Sequence, residues 1–148
     1  MMRPQVFFIL LIVSLFCCAS YADADADVDL VVIVNPDNKV SQMKKNEVVD
    51  LFMGRYVIFP TGVSALPLDQ PVTSETRKRF YDLLTGKSVA QVNAYWARLI
   101  FTGRASPPRV MPDVETTLRV VRENKDAIAY IPKNDLDSTV KVVLTFDQ

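Results

Sequence analysis

The apolar positions change period along the chain, and each change marks an element. Leu30 to Val34 reads Leu-Val-Val-Ile-Val, uninterrupted by polar residues and rich in β-branched ones. Ended by Asn35-Pro36-Asp37-Asn38, this run predicts a strand buried on both faces. The spacing then switches. Val48, Leu51 and Phe52 fall at i, i+3 and i+4 ahead of Gly54, which predicts a helix over Lys44 to Met53.

A second short strand is expected at Ser64 to Leu68, between the Pro60-Thr61-Gly62 turn and Pro71. Ser74 offers an N-cap oxygen, Glu75 suits the positive end of a helix dipole, and Phe80, Leu83 and Leu84 make one apolar face before Gly86. Ser88 caps the next helix, where Val89, Val92, Trp96, Leu99 and Ile100 recur at helical spacing up to Thr102-Gly103; Pro107-Pro108 forbids continuation. Asp113 caps a fourth, with Val114, Leu118 and Val121 inward, and strands are expected at Ala127 to Ile131 and Val140 to Leu144. The order β-α-β-α-α-α-β-β predicts an α/β domain with a mostly parallel mixed sheet flanked by helices, mixed at the end where two strands follow each other.

Ahead of this domain, Met1 to Ala22 carries Arg3, an apolar run from Val6 to Ala19, and the small-residue exit Ser20-Tyr21-Ala22. That is the layout of a cleaved signal peptide, and the run is shorter than the roughly 20 apolar residues that span a bilayer. The expected address is the periplasm. Residues 23–29 alternate small and acidic positions and read as a flexible lead-in, since a calcium loop would need a turn Gly and a late bidentate Glu. The folded domain is then 30–148.

Composition narrows the chemistry. The chain has 148 residues, 17 Lys plus Arg against 17 Asp plus Glu, and no His. A net charge of zero argues against nucleic acid and against a polybasic cluster for anionic lipid. Without His there is no Ser-His triad and no His-zinc site. The 2 Cys, Cys17 and Cys18, both fall within the leader. No metal, cofactor or enzymatic activity is expected; Asp135 and Asp137 sit in a loop without a group to perturb them.

Arg77, Lys78 and Arg79 read as a solvated helix face, with a ligand clamp as the alternative. Arg104 and Arg109 bracket Ala105-Ser106-Pro107-Pro108, and their planar donors suit a carboxylate or phosphate. Trp96 is expected in the core. The run Tyr56-Val57-Ile58-Phe59 fits either a buried strand or an exposed patch that marks a partner site.

Several stretches together resemble the small, single-lobe relatives of the substrate-binding protein of phosphate ABC transporters: Val34-Asn35-Pro36, Leu51-Phe52-Met53-Gly54-Arg55, Phe59-Pro60-Thr61-Gly62, Pro67-Leu68-Asp69-Gln70, Ala94-Tyr95-Trp96 with Phe101-Thr102-Gly103-Arg104, and Asp126-Ala127-Ile128-Ala129-Tyr130-Ile131. The resemblance implies a single type 2 periplasmic-binding-protein-like lobe and an anion site. Where the larger phosphate binders open a helix with Gly-Ser-Gly-Thr, this chain has Thr73-Ser74-Glu75-Thr76 at the same distance from a Phe, Phe80. Ser74, Thr76, Arg104 and Arg109 are the candidate ligand residues, Ser74 and Thr76 doubling as plain capping residues.

Two features depart from that pattern. Glu75 replaces a Gly where backbone approaches the anion, and like charges about 4 Å apart repel by on the order of 4 kcal/mol at an effective dielectric of 20. Asp69 and Gln70 stand where the binders place an Arg shortly before the turn, which removes a bidentate contact. Two functions follow. One is binding of phosphate or another small oxyanion, linked to phosphate ABC transport. The other is an interaction or sensory module that has lost the anion site and docks on a membrane transporter, a sensor or a second copy of itself as a homodimer.

Overall fold

The computed structural model describes residues 28–146; the expected leader and most of the acidic lead-in lie outside the described residues. The elements are β1 (Leu30–Val34), α1 (Lys45–Phe52), β2 (Leu66–Asp69), α2 (Glu75–Thr85), α3 (Val89–Phe101), β3 (Arg109–Val110), α4 (Val114–Glu123), β4 (Ala127–Pro132) and β5 (Lys141–Phe146), with a 3₁₀ turn at Lys133–Asp135. Every expected strand and helix is present in the expected order. The addition, β3, is two residues long and therefore too short to show a period.

The five strands form one sheet in the order β3-β2-β4-β1-β5. β2 pairs parallel with β3 and β4, while β1 lies between β4 and β5 and runs antiparallel to both. Four strands thus share one direction. The mixing arises at β1, in the interior, and not from a pairing of the two last strands with each other.

Helices on both faces explain the unbroken apolar run of β1. Leu30, Val32 and Val34 pack with α1, α2 and α3 residues such as Phe52, Phe80, Leu84 and Trp96, whereas Val31 and Ile33 pack with Leu118 and Val121 of α4 on the other face. β4 alternates in the same way, Ile128 and Tyr130 to the first core, Ala127, Ala129 and Ile131 to the second. A strand sandwiched between two apolar layers has no polar face to keep.

The caps behave as the sequence predicts. Ser74 and Ser88 accept from the backbone N–H groups of Arg77 and Gln91, Asp113 accepts from Thr116, and Gly86 ends α2 in the left-handed region at φ 67. Asn35, read as part of a turn, does more. It is buried, and its Nδ2 donates to the carbonyls of Val121 and Arg122 at 2.9 and 2.8 Å, satisfying the last turn of α4.

Ile100 and Arg77 depart from expectation, and the Tyr56–Phe59 run, left open between two readings, takes both. Ile100 is exposed rather than inward: it follows Val92 and Trp96 at i+8 and i+4 on the same stripe, but it falls in the last turn of α3, beyond the last buried position of that helix. The Tyr56–Phe59 run splits: Phe59 turns into the core, while Tyr56, Val57 and Ile58 stand 61%, 66% and 50% exposed. Arg77, expected on a solvated face, is buried.

Candidate functional site

The C-terminal end of β2 leads through Gln70 to Ser74 and the start of α2, where the sequence places the anion-binding turn. β2 ends on Asp69, which is only 4% exposed, as is Arg77 in the first turn of α2. Arg77 is buried because it belongs to the same stripe as Phe80, Tyr81 and Leu84, spaced i, i+3, i+4 and i+7. Its guanidinium must find a partner there, since an unpaired buried charge is prohibitive.

Asp69 supplies that partner and collects four donors. Arg77 Nε lies 3.0 Å from Oδ2, Tyr81 donates its hydroxyl to Oδ2 at 3.0 Å, Tyr130 donates to Oδ1 at 2.5 Å, and the Gln70 backbone N–H donates to Oδ1 at 2.8 Å. Arg77 Nη2 continues to Asn93 Oδ1 on α3 at 3.1 Å, and its carbon Cζ stands 5.1 Å from the centre of the Tyr81 ring. Burial first, and the charge of Asp69 after it, push both phenols well above the ordinary tyrosine range, so both remain donors at any physiological pH. The arrangement resembles an anion site whose anion is the protein's own carboxylate.

Ser74 is committed as well. Its hydroxyl donates to Gln70 Oε1 at 2.6 Å and accepts from Arg77 N at 3.2 Å, while Gln70 Nε2 donates to the Tyr130 carbonyl at 3.3 Å. A serine hydroxyl has one proton, so Ser74 has no donor left for a ligand. Thr76 is half-buried and lines a groove of about 700 Å³ between α2, the start of α3 and the start of β1, shared with Glu75, Arg79, Asp82, Gln91 and Leu30. Glu75 points into solvent and pairs with Lys78 at 3.3 Å. Arg77 Nη1 is buried without a hydrogen-bond partner among the described residues.

The two loop arginines are placed differently. Arg109 opens β3 and pairs in register with Leu68 of β2, so it stands beside the strand that leads to Ser74. Arg104 lies exposed in the turn after α3, its backbone N–H donating to the Leu99 carbonyl at 3.1 Å. No hydrogen bond or ion pair among the described residues joins Arg104 or Arg109 to Ser74 or Thr76. The four candidate residues therefore do not converge on one point through direct contact. Sequence reasoning missed Asp69, Arg77, Tyr81, Tyr130 and Asn93 as a cluster; the stripe phase of Arg77 was the available signal.

The architecture itself is familiar. An ABC-type phosphate transport receptor from Vibrio cholerae superposes with TM-score 0.62 at 17% identity, covering 78% of this chain and 46% of that one. The fold is that of one lobe of such a receptor. A Clostridium perfringens chain solved with phosphate bound matches with TM-score 0.62 at 15% identity over 78% of this chain and 45% of its own, and PstS from Borrelia burgdorferi with TM-score 0.55 at 13% identity over 78% and 47%. This chain spans about half the length of these structures. No protein-family model and no curated protein matches the sequence.

At such identities the substrate-binding-protein fold is shared, and chemistry must be read from this chain's own side chains. Among the described residues no helix is long and apolar enough to cross a membrane, and no group of acidic residues is set to hold a metal.

Proposed function

We propose that this chain is an exported, non-catalytic substrate-binding-protein lobe that acts through contact with a partner and not by enclosing phosphate. The observation that carries this reading is the closed network at the start of α2. Asp69 takes the donors of Arg77, Tyr81 and Tyr130, and Ser74 spends its proton on Gln70. An incoming phosphate would have to displace a bound carboxylate whose charge stays behind, with Glu75 adding further repulsion.

A second reading, phosphate or another small oxyanion held at Thr76 and the first turn of α2, is favoured by the unpartnered Nη1 of Arg77 and by the phosphate bound to the Clostridium perfringens neighbour. Thermal melting against phosphate at fixed ionic strength, with sulfate and chloride as controls, separates the two. Partner docking predicts no phosphate-specific shift. A ligand present at 100 times its dissociation constant would add about 2.7 kcal/mol and move the midpoint by several degrees, and that result overturns the first reading. Running the Glu75→Gly variant alongside shows whether Glu75 alone closes the site.

A further inference from the structure

The chain is neutral as a whole, but among the described residues all the large exposed apolar side chains except Val72 and Leu136 lie in two segments that carry arginine and no acid. Residues 51–64 contain one charge, Arg55; residues 97–112 contain three, Arg98, Arg104 and Arg109. The same segments hold Tyr56, Val57, Ile58 and Val63, and Ile100, Phe101 and Val110, all exposed, with Phe101 at 93%. The fold ties the segments together. Tyr95 Oη donates to the Met53 carbonyl at 2.7 Å, and Gly54 is so close that an added Cβ would stand 2.5 Å from the Trp96 ring and 3.4 Å from Ala105 Cβ. Arg55 pairs with Asp50 at 3.4 Å, while Arg98, Arg104 and Arg109 have no acidic partner among the described residues.

We infer that this face docks on an anionic lipid surface, with Phe101 entering the interface and Arg98 and Arg104 beside it meeting lipid phosphates. Three observations favour lipid over other occupants. A side chain at 93% exposure is a convex tip, which fluid lipid admits without a matching pocket, whereas a protein partner must supply one. A second copy would bring arginines against arginines. Apolar insertion and cationic attraction reinforce each other at a membrane surface, each adding what the other lacks. Net charge is blind to such a face, since the balancing acids sit elsewhere on the chain. The inference is independent of whether the start of α2 binds phosphate.

The full chain carrying Phe101→Trp tests it. The natural chain has one tryptophan, the buried Trp96, so the added emission reports position 101. Vesicles of phosphatidylcholine with phosphatidylglycerol should blue-shift that emission, and tail-brominated lipid should quench it; pure phosphatidylcholine should do neither. Neutralising Arg98 and Arg104 to Gln should weaken partitioning by about five-fold each, and added salt should weaken it further. An unchanged melting temperature confirms that the variants fold. Co-sedimentation with unquenched emission at position 101 means the apolar N-terminal run alone holds the vesicle and overturns the proposal. Equal response to neutral vesicles, or none at low salt, overturns it too.

Discussion

Arg77 and Asp69 form a buried ion pair, Nε to Oδ2 at 3.0 Å with both side chains about 95% withdrawn from solvent, between the first turn of α2 and the end of β2. Burial costs both charges their hydration, and their mutual attraction repays it only because the tyrosine hydroxyls and the Gln70 N–H satisfy the remaining lone pairs. Removing one partner should therefore cost far more than the pair is worth. Arg77→Met is expected to lower unfolding free energy by about 3–5 kcal/mol, read from urea denaturation. Adding Asp69→Asn should recover much of that loss, because the uncompensated charge is then gone; failure to recover would mean that packing of the Arg77 stem carries the effect.

The two phenols give the fold a pH limit. Tyr81 and Tyr130 are pushed up by burial and by Asp69, so the folded state holds their protons at pH values where the unfolded chain, titrating near 10, has released them. Folded pKa above unfolded pKa means that stability is intact below about pH 10 and falls as pH rises above it. Each tyrosine should contribute a slope of about 1.4 kcal/mol per pH unit in that range. Chemical denaturation between pH 8 and pH 11 checks this, and Tyr81→Phe should halve the slope.

Much of this fold was legible in the order of apolar residues. β1 declared itself by an unbroken β-branched run and α2 to α4 by Ser74, Ser88 and Asp113, since capping is local chemistry that a few neighbouring residues decide. The place of β1 between β4 and β5 was not legible, because strand order depends on contacts nearly a hundred residues apart. The site was readable only in part. Ser74 was found, but its hydroxyl proton goes to Gln70, and a hydrogen-bond direction has no trace in spacing. The triplet Arg77-Lys78-Arg79 reads as surface, whereas helical phase, which puts Arg77 with Phe80, Tyr81 and Leu84, is the better guide.

Asn35 offers a test of a helix end held from another element. Its Nδ2 serves the carbonyls of Val121 and Arg122, and its Oδ1 accepts from the Asp37 N–H at 2.9 Å. Asn35→Leu keeps the volume but leaves those carbonyls unserved. The expected loss is about 1–3 kcal/mol, and hydrogen exchange should quicken first in the last turn of α4.

Gly54 and Gly62 separate the two reasons a chain needs glycine. Both lie in the left-handed region, at φ 67 and φ 84, but an added Cβ at Gly62 meets nothing within 4 Å, while at Gly54 it strikes the Trp96 ring at 2.5 Å. Gly62→Ala should therefore cost only the backbone term, about 1–2 kcal/mol. Gly54→Ala pays that and must also displace a buried indole that packs with α1 and α2, adding about 1–3 kcal/mol of overpacking. The shift should show in Trp96 fluorescence for Gly54→Ala and not for Gly62→Ala. If both variants melt alike with unchanged emission, the indole has room to move, and the close approach of Met53-Gly54 to α3 is not what fixes the exposed Tyr56–Ile58 segment in place.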